Sequence, residues 1–187
     1  KKYEIIYQVN KNKHMTSSPF LPKDYSAPVS SKYMKFKDGD NRFRILGSAI
    51  VGNEFWATVD GKGRPIRRRL NEKISQSELE IDPKTGNKVK ISHFWAFPVY
   101  NYSDQAIQIL EIKQKTVQIA IQSLVKNPKW GDPKKYDIVV TRSGEKLTTE
   151  YSTVPDPKED VDEGILKLYK DTPIALDALF RGDDPFS

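Results

Sequence analysis

Apolar residues recur at every second position in several short runs of this chain, and at helical spacing in a central one. That change of period limits the fold more than any other feature. Period two belongs to strands buried on one face, and a period near 3.6 to an amphipathic helix. After the turn signal Asp38-Gly39-Asp40, residues 41–51 read as a strand. Phe43, Ile45, Gly47, Ala49 and Val51 share one parity, with Arg42, Arg44 and Ser48 on the other. Leu46 breaks the alternation, which predicts a bulge near Gly47. Gly52-Asn53 fits a two-residue primed turn, and residues 54–60 form the return strand, where Trp56 faces opposite to Phe55, Ala57 and Val59. HFWAFPVYNY (93–102) and AIQILEIK (106–113) pair through a loop at 102–105. In TVQIAIQSLVKNP (116–128) the period turns helical, with Thr116 as cap and Pro128 as stop. DIVVTRSG and KLTTEYSTV form a last hairpin around Ser143-Gly144. The expected fold is mainly β: a five- or six-stranded antiparallel barrel of OB type, with one helix before its last two strands. A six-stranded sandwich is the alternative.

The flanks read differently. KKYEIIYQVNKNKH (1–14) departs from the rest, and His14-Met15 is what a common cloning site encodes, so this stretch reads as introduced by cloning. Residues 15–32 are rich in Pro and Ser and read as an extended arm. The barrel domain is expected over 33–154, with 61–92 as a basic, mobile insertion that begins GKGRPIRRRL. Residues 155–187 form an acidic tail with a short helix at EGILKLYKD and a second one started by Thr172-Pro173. Net charge is +6, unevenly spread. Residues 1–153 hold 27 Lys and Arg against 16 Asp and Glu, and residues 154–187 hold 4 against 9. A basic body with an acidic tail suggests a polyanion-binding surface and a tail that competes for it or recruits partners. No cysteine is present, which excludes disulfides, zinc-thiolate sites and thiol catalysis. No apolar run approaches the roughly 20 residues of a membrane span, so no membrane partner is expected.

The aromatic strand carries the functional question. Alternation puts Trp95, Phe97 and Val99 on one face, and Phe94, Ala96, Tyr100 and Tyr102 on the other. The odd set is the more apolar and is expected to be core, although Pro98 can shift the parity, so the faces stay open. Aromatics left outside beside basic residues suit stacking on nucleic-acid bases, which does not depend on base identity. Phe94, Tyr100, Tyr102 and Trp56 are the stacking candidates. Arg42, Arg44, Arg64, Arg67, Arg69 and Lys113 are the candidates for holding phosphates, since a cation tracks the backbone and a guanidinium also stacks.

An enzyme is a weaker reading. Glu111-Ile112-Lys113 matches a fragment of metal-dependent nucleases, with Asp104 as a possible second ligand, but the tripeptide is common. His93 reads as a packing residue, and GKGRP lacks the spacing of a phosphate-cradling loop. No catalytic residue, metal or cofactor is therefore expected. A module for RNA or another polyanion shares the basic body but does not need the aromatic row.

Four blocks carry a resemblance: KFKDGDNRFRIL (35–46), HFWAFPVYNY (93–102), WGDPKKYDIVVTRSG (130–144) and TTEYSTVPDPK (148–158). Together they resemble the single-stranded DNA-binding proteins of tailed phages, over roughly residues 33–158. The resemblance implies an OB fold, sequence-tolerant binding of single strands, and a role in phage DNA replication, recombination or repair in the cytoplasm of the infected bacterium. The ending GDDPFS is similar to the acidic, phenylalanine-bearing tips of such proteins, which implies recruitment of replication and recombination proteins through Asp183, Asp184 and Phe186. Here Ser187 follows the phenylalanine, whereas a terminal carboxylate is common in such tips.

Overall fold

A computed structural model describes residues 31–187 together with Phe20. Residues 1–14, expected to be introduced by cloning, and most of the proposed arm lie outside the described residues. Eight strands and two helices follow one another as β1 (Tyr33–Met34), β2 (Gly39–Ile45), β3 (Ile50–Val59), β4 (Lys62–Arg69), β5 (Ser92–Asn101), β6 (Ala106–Ile112), α1 (Lys115–Lys126), β7 (Tyr136–Ser143), β8 (Glu150–Lys158) and α2 (Glu163–Lys170). They build one mixed sheet in the order β1-β6-β5-β2-β7-β8, from which β3 branches at β5 and carries β4.

The protein is mainly β, and α1 stands before the last two strands of the sheet, as expected. The five- or six-stranded antiparallel barrel needs correction. The sheet has eight strands and is open: β1 lies parallel along β6, and no ladder joins β6 to β8 among the described residues. Side chains span that gap, where the rings of Phe36 and Tyr151 lie 5.9 Å apart.

The first hairpin also differs. β3 runs straight through Gly52-Asn53, and the turn falls at Asp60-Gly61, with Val59 paired to Lys62. Asp60 and Gly61 have φ of 52° and 73°, the left-handed pair that a primed turn requires and that Asp-Gly supplies. The basic residues 62–69 are therefore strand β4 rather than loop, and only 70–91 connect onward to β5. Gly52 is needed for close packing instead, since a Cβ there would lie 2.5 Å from the Arg68 carbonyl and 2.9 Å from the Phe180 ring. The bulge expected near Gly47 within one strand is instead a full interruption, residues 46–49, that separates β2 from β3. It also explains Pro98 inside β5. The Pro98 carbonyl accepts from the Leu46 amide (3.0 Å), so its missing N–H faces the break, where no strand needs it.

Two cores follow from strand parity. Phe43, Ile45, Phe97, Val99, Leu110, Ile112, Ile138 and Val140 fill the inside, closed at one end by Val117 and Ile121 of α1. Each fully buried side chain of this kind contributes roughly 1.5–3 kcal/mol relative to exposure. The helix starts one residue before the expected cap, with Gln114 at the N-cap. The second core lies outside the sheet: Phe94, Ala96 and Ile109 are covered by Leu179, with Ile174, Phe180 and Phe186 around it. The segment after β8 thus straps the outer face. Its second helical turn is a 3-10 turn at Leu176–Arg181, not a helix begun by Thr172-Pro173, because the Thr172 hydroxyl donates back to the Leu168 carbonyl at the end of α2.

Candidate nucleic-acid interface

The face that the sequence reading assigns to stacking points away from the inner core, and the chain covers most of it. On β2, Arg44 is buried and ion-paired to Asp137 of β7, its cross-strand neighbour, while its Nη1 donates to the Glu159 carbonyl (2.9 Å). Arg42 pairs with Asp137 (2.6 Å) and Asp156 (3.2 Å) and lies 4.6 Å from the centre of the Tyr102 ring. Tyr100 and Tyr102 pack edge to face at 5.0 Å. Burial, followed by the Asp137 carboxylate, pushes the Tyr102 hydroxyl up to about 12.

Farther along β5, Phe94 is fully buried, 6.1 Å from the ring of Phe180. Phe94 is therefore no open platform here. Arg69 lies 4.4 Å over Phe180 and pairs with Asp177 (3.1 Å). The tip repeats the arrangement. Phe186 meets Tyr33 edge-on at 6.3 Å, Lys32 lies 5.2 Å over the Phe186 ring, and Lys32 binds Asp184 at 2.7 Å. That hydrogen bond, with another from the Phe186 amide, holds the Asp184 carboxyl below its ordinary value. Asp183 is bound within its own segment by Arg181 (2.9 Å).

An open groove lies beside this face among the described residues. It has a volume of about 540 Å³ and runs between β4, the β1–β6 edge and the start of β8. Tyr33, Phe36 and Tyr151 supply aromatic surface, Pro65 forms part of a wall, and Lys35 stands exposed with no ion pair among the described residues. Burial, and then Glu111, raise the Tyr33 hydroxyl above its ordinary value. On the groove's border Arg67 binds Glu54 (3.0 Å) and Glu111 (2.9 Å), and Lys113 binds Glu54. Glu54 is 1% exposed, so its two cations are structural as well as surface groups: removing both would strand a buried charge.

The sequence candidates therefore divide. Arg67 and Lys113 reach the groove. Arg42, Arg44, Arg69, Phe94, Tyr100 and Tyr102 lie on the strapped face. Trp56 stands exposed on the β3–β4 hairpin, outside both, and Arg64, also exposed, lines a cleft with Leu179, Arg181 and Asp183 of the strap. Tyr33, Lys35, Phe36 and Tyr151 are groove residues that the sequence reading does not single out. The interleaved run Lys35-Phe36-Lys37 is the signal that could have found two of them, but it precedes the first strong strand pattern.

The nuclease fragment does not assemble. Asp104 and Glu111 stand at opposite ends of β6, where Asp104 accepts from Gln108 (3.1 Å) and Glu111 is committed to Arg67. No group of three or more His, Cys, Asp or Glu is placed to hold a metal ion among the described residues. His93 accepts from the Trp95 indole (3.1 Å). No helix among the described residues is long and apolar enough to cross a membrane.

Fold and groove together define a β-rich protein with an aromatic, cation-bordered cleft. Comparison with known proteins gives one further indication. The chain is 26% identical over 144 residues to a protein of Escherichia phage T5 named as a probable ssDNA-binding protein, an alignment over 64% of this chain. It spans about half of that relative (53%). No family model matches the chain, and no solved structure matches it.

Proposed function

We propose that this protein binds single-stranded DNA without sequence preference, through the groove bordered by Tyr33, Phe36 and Tyr151. The open groove carries the reading. Its rings offer stacking surfaces to bases, and Lys35 is free to meet phosphate. The strand order β6-β5-β2-β7-β8, with α1 before β7, is compatible with an OB-type body opened into a larger sheet, a class that takes single strands across such a cleft, and so supports the reading. The name of the phage T5 relative agrees with it.

The strap belongs to the same reading. It sets phenyl rings and carboxylates against arginine, lysine and aromatic side chains, which are the partners that bases and phosphates would use. We read residues 159–187 as a guard of the outer face that yields to DNA. Once displaced, the tip Asp183, Asp184 and Phe186 is offered to replication or recombination proteins of an infected cell. No catalytic step enters.

The first experiment is titration with oligo-dT at several salt concentrations, with duplex and oligo-U controls. Tight, salt-steep binding of oligo-dT with little duplex binding supports the reading. Equal preference for oligo-U moves it to RNA, and no binding at physiological salt rejects it. Truncation after Lys158, checked by Phe180→Ala, should tighten oligo-dT binding at low salt. Unchanged or weaker binding in both removes the guard.

A further inference from the structure

Residues 75–90 of the loop joining β4 to β5 line neither the groove nor the strap, yet they are held firmly against the β3–β4 hairpin. The Glu80 carboxylate accepts from the Thr58 amide (2.8 Å) and the Thr58 hydroxyl (3.0 Å). Arg68 binds Glu78 at 3.1 Å, and Leu79 is buried. Asp82 and Asn87 close a turn through a backbone hydrogen bond (2.8 Å), and Ile81 bridges to Lys88.

Between this loop and β3 lies a cavity of about 460 Å³. Trp56 forms one wall, and Ile81, Pro83 and Val89 face it from the loop. The indole is 54% exposed, whereas Trp95 and Trp130 pack against the inner core. An aromatic side chain of this size, exposed along the wall of a slot that is apolar at Ile81, Pro83 and Val89 and acidic at Glu80 and Asp82, is costly to leave in water without a ligand. Lys90, which lines the slot from the loop, is exposed and makes no ion pair among the described residues. This differs from the strapped face, where Arg42, Arg44 and Arg69 are already neutralised.

We propose that this slot takes one nucleobase of a bound single strand, stacked on Trp56, with a flanking phosphate met by Lys90. The proposal rests on the single-strand reading and extends its footprint beyond the groove. Trp56 pairs across the hairpin with Pro65, which borders the groove, so a strand leaving the groove over β4 reaches the slot next. Glu80 is a positioning residue: it sets the far wall and touches no base.

The test uses oligo-dT of about 4 to 16 nucleotides, the range of site sizes for such bodies. Tryptophan emission should be quenched by the longer strands. Trp56→Phe keeps a ring to stack on, so it should abolish the quenching and leave affinity within a few-fold. Trp56→Ala should also weaken long strands by about 5- to 100-fold, while the shortest strands that bind stay at wild-type affinity. Glu80→Ala should reduce quenching with the indole intact, and Glu80→Gln, which still accepts from Thr58, should restore it. Full quenching in Trp56→Phe, or wild-type affinity of Trp56→Ala for long strands while Tyr151→Ala is impaired, overturns the slot and leaves the groove standing. Failure of the wild-type protein to bind any strand overturns both.

Discussion

Two surfaces of this molecule carry the same kinds of side chain and meet opposite fates. On the outer face of β5, Phe94 and Arg69 are matched by Phe180 and Asp177 from the chain's own C-terminal segment. In the groove, Phe36, Tyr151 and Lys35 meet no such cover among the described residues. Tyr33 stands at the boundary, lining the groove while touching Phe186. Aromatic and cationic residues therefore do not by themselves mark an open platform. What marks it is whether the remaining chain supplies a matching ring and carboxylate.

The comparison can be broken most forcefully at Leu179, which is 3% exposed over Phe94 and Ile109. Leu179→Ala should cost about 2–5 kcal/mol of strap docking. The loss should be local: hydrogen exchange would quicken at Phe94 and Ile109 while β2 and β7 stay protected. Global unfolding at the same energy would make the strap an integral part of the fold. On the open side, Tyr151→Ala should weaken oligo-dT binding by about 1–3 kcal/mol with duplex binding unchanged. Tyr151 also packs on the inner core, so a thermal melt must accompany it. Lys35→Ala sharpens the contrast further. A free lysine that meets phosphate should lower the salt slope of binding by about one, nearly alike for all sequences. A slope unchanged within error would place the strand elsewhere.

The smallest effect is the pH response of the tip. The Asp184 carboxyl is held below its ordinary 3.8 by Lys32 and the Phe186 amide, so its charge is kept at every pH above that value. A depressed folded value gives a contribution present above 3.8 and lost only as pH falls below it. The Tyr33–Phe186 contact, followed by aromatic NMR, should thus stay constant from neutral to mildly acidic solution and loosen only in strong acid. Release at mildly acidic pH would show that another group holds the tip. Both partners are about half exposed, so mutation of the pair should matter little to stability.

Much of this protein is legible in its sequence because the signals are local. Period two in residues 93–112 gives β5 and β6, and its change at 116–126 gives α1. The parity of β5 is also right: Phe97 and Val99 lie inside. The turn is misplaced because two nearby pairs, Gly52-Asn53 and Asp60-Gly61, carry the same chemistry, and only pairing with β4 chooses between them. The site is harder to read for a different reason. Arg44 looks like a phosphate ligand until Asp137, 93 residues away, neutralises it, and Phe94 looks like a platform until Phe180 covers it. Periodicity determines which residues can share a face. Which face stays open depends on charges and rings brought from distant parts of the chain, and those meet only in the tertiary structure.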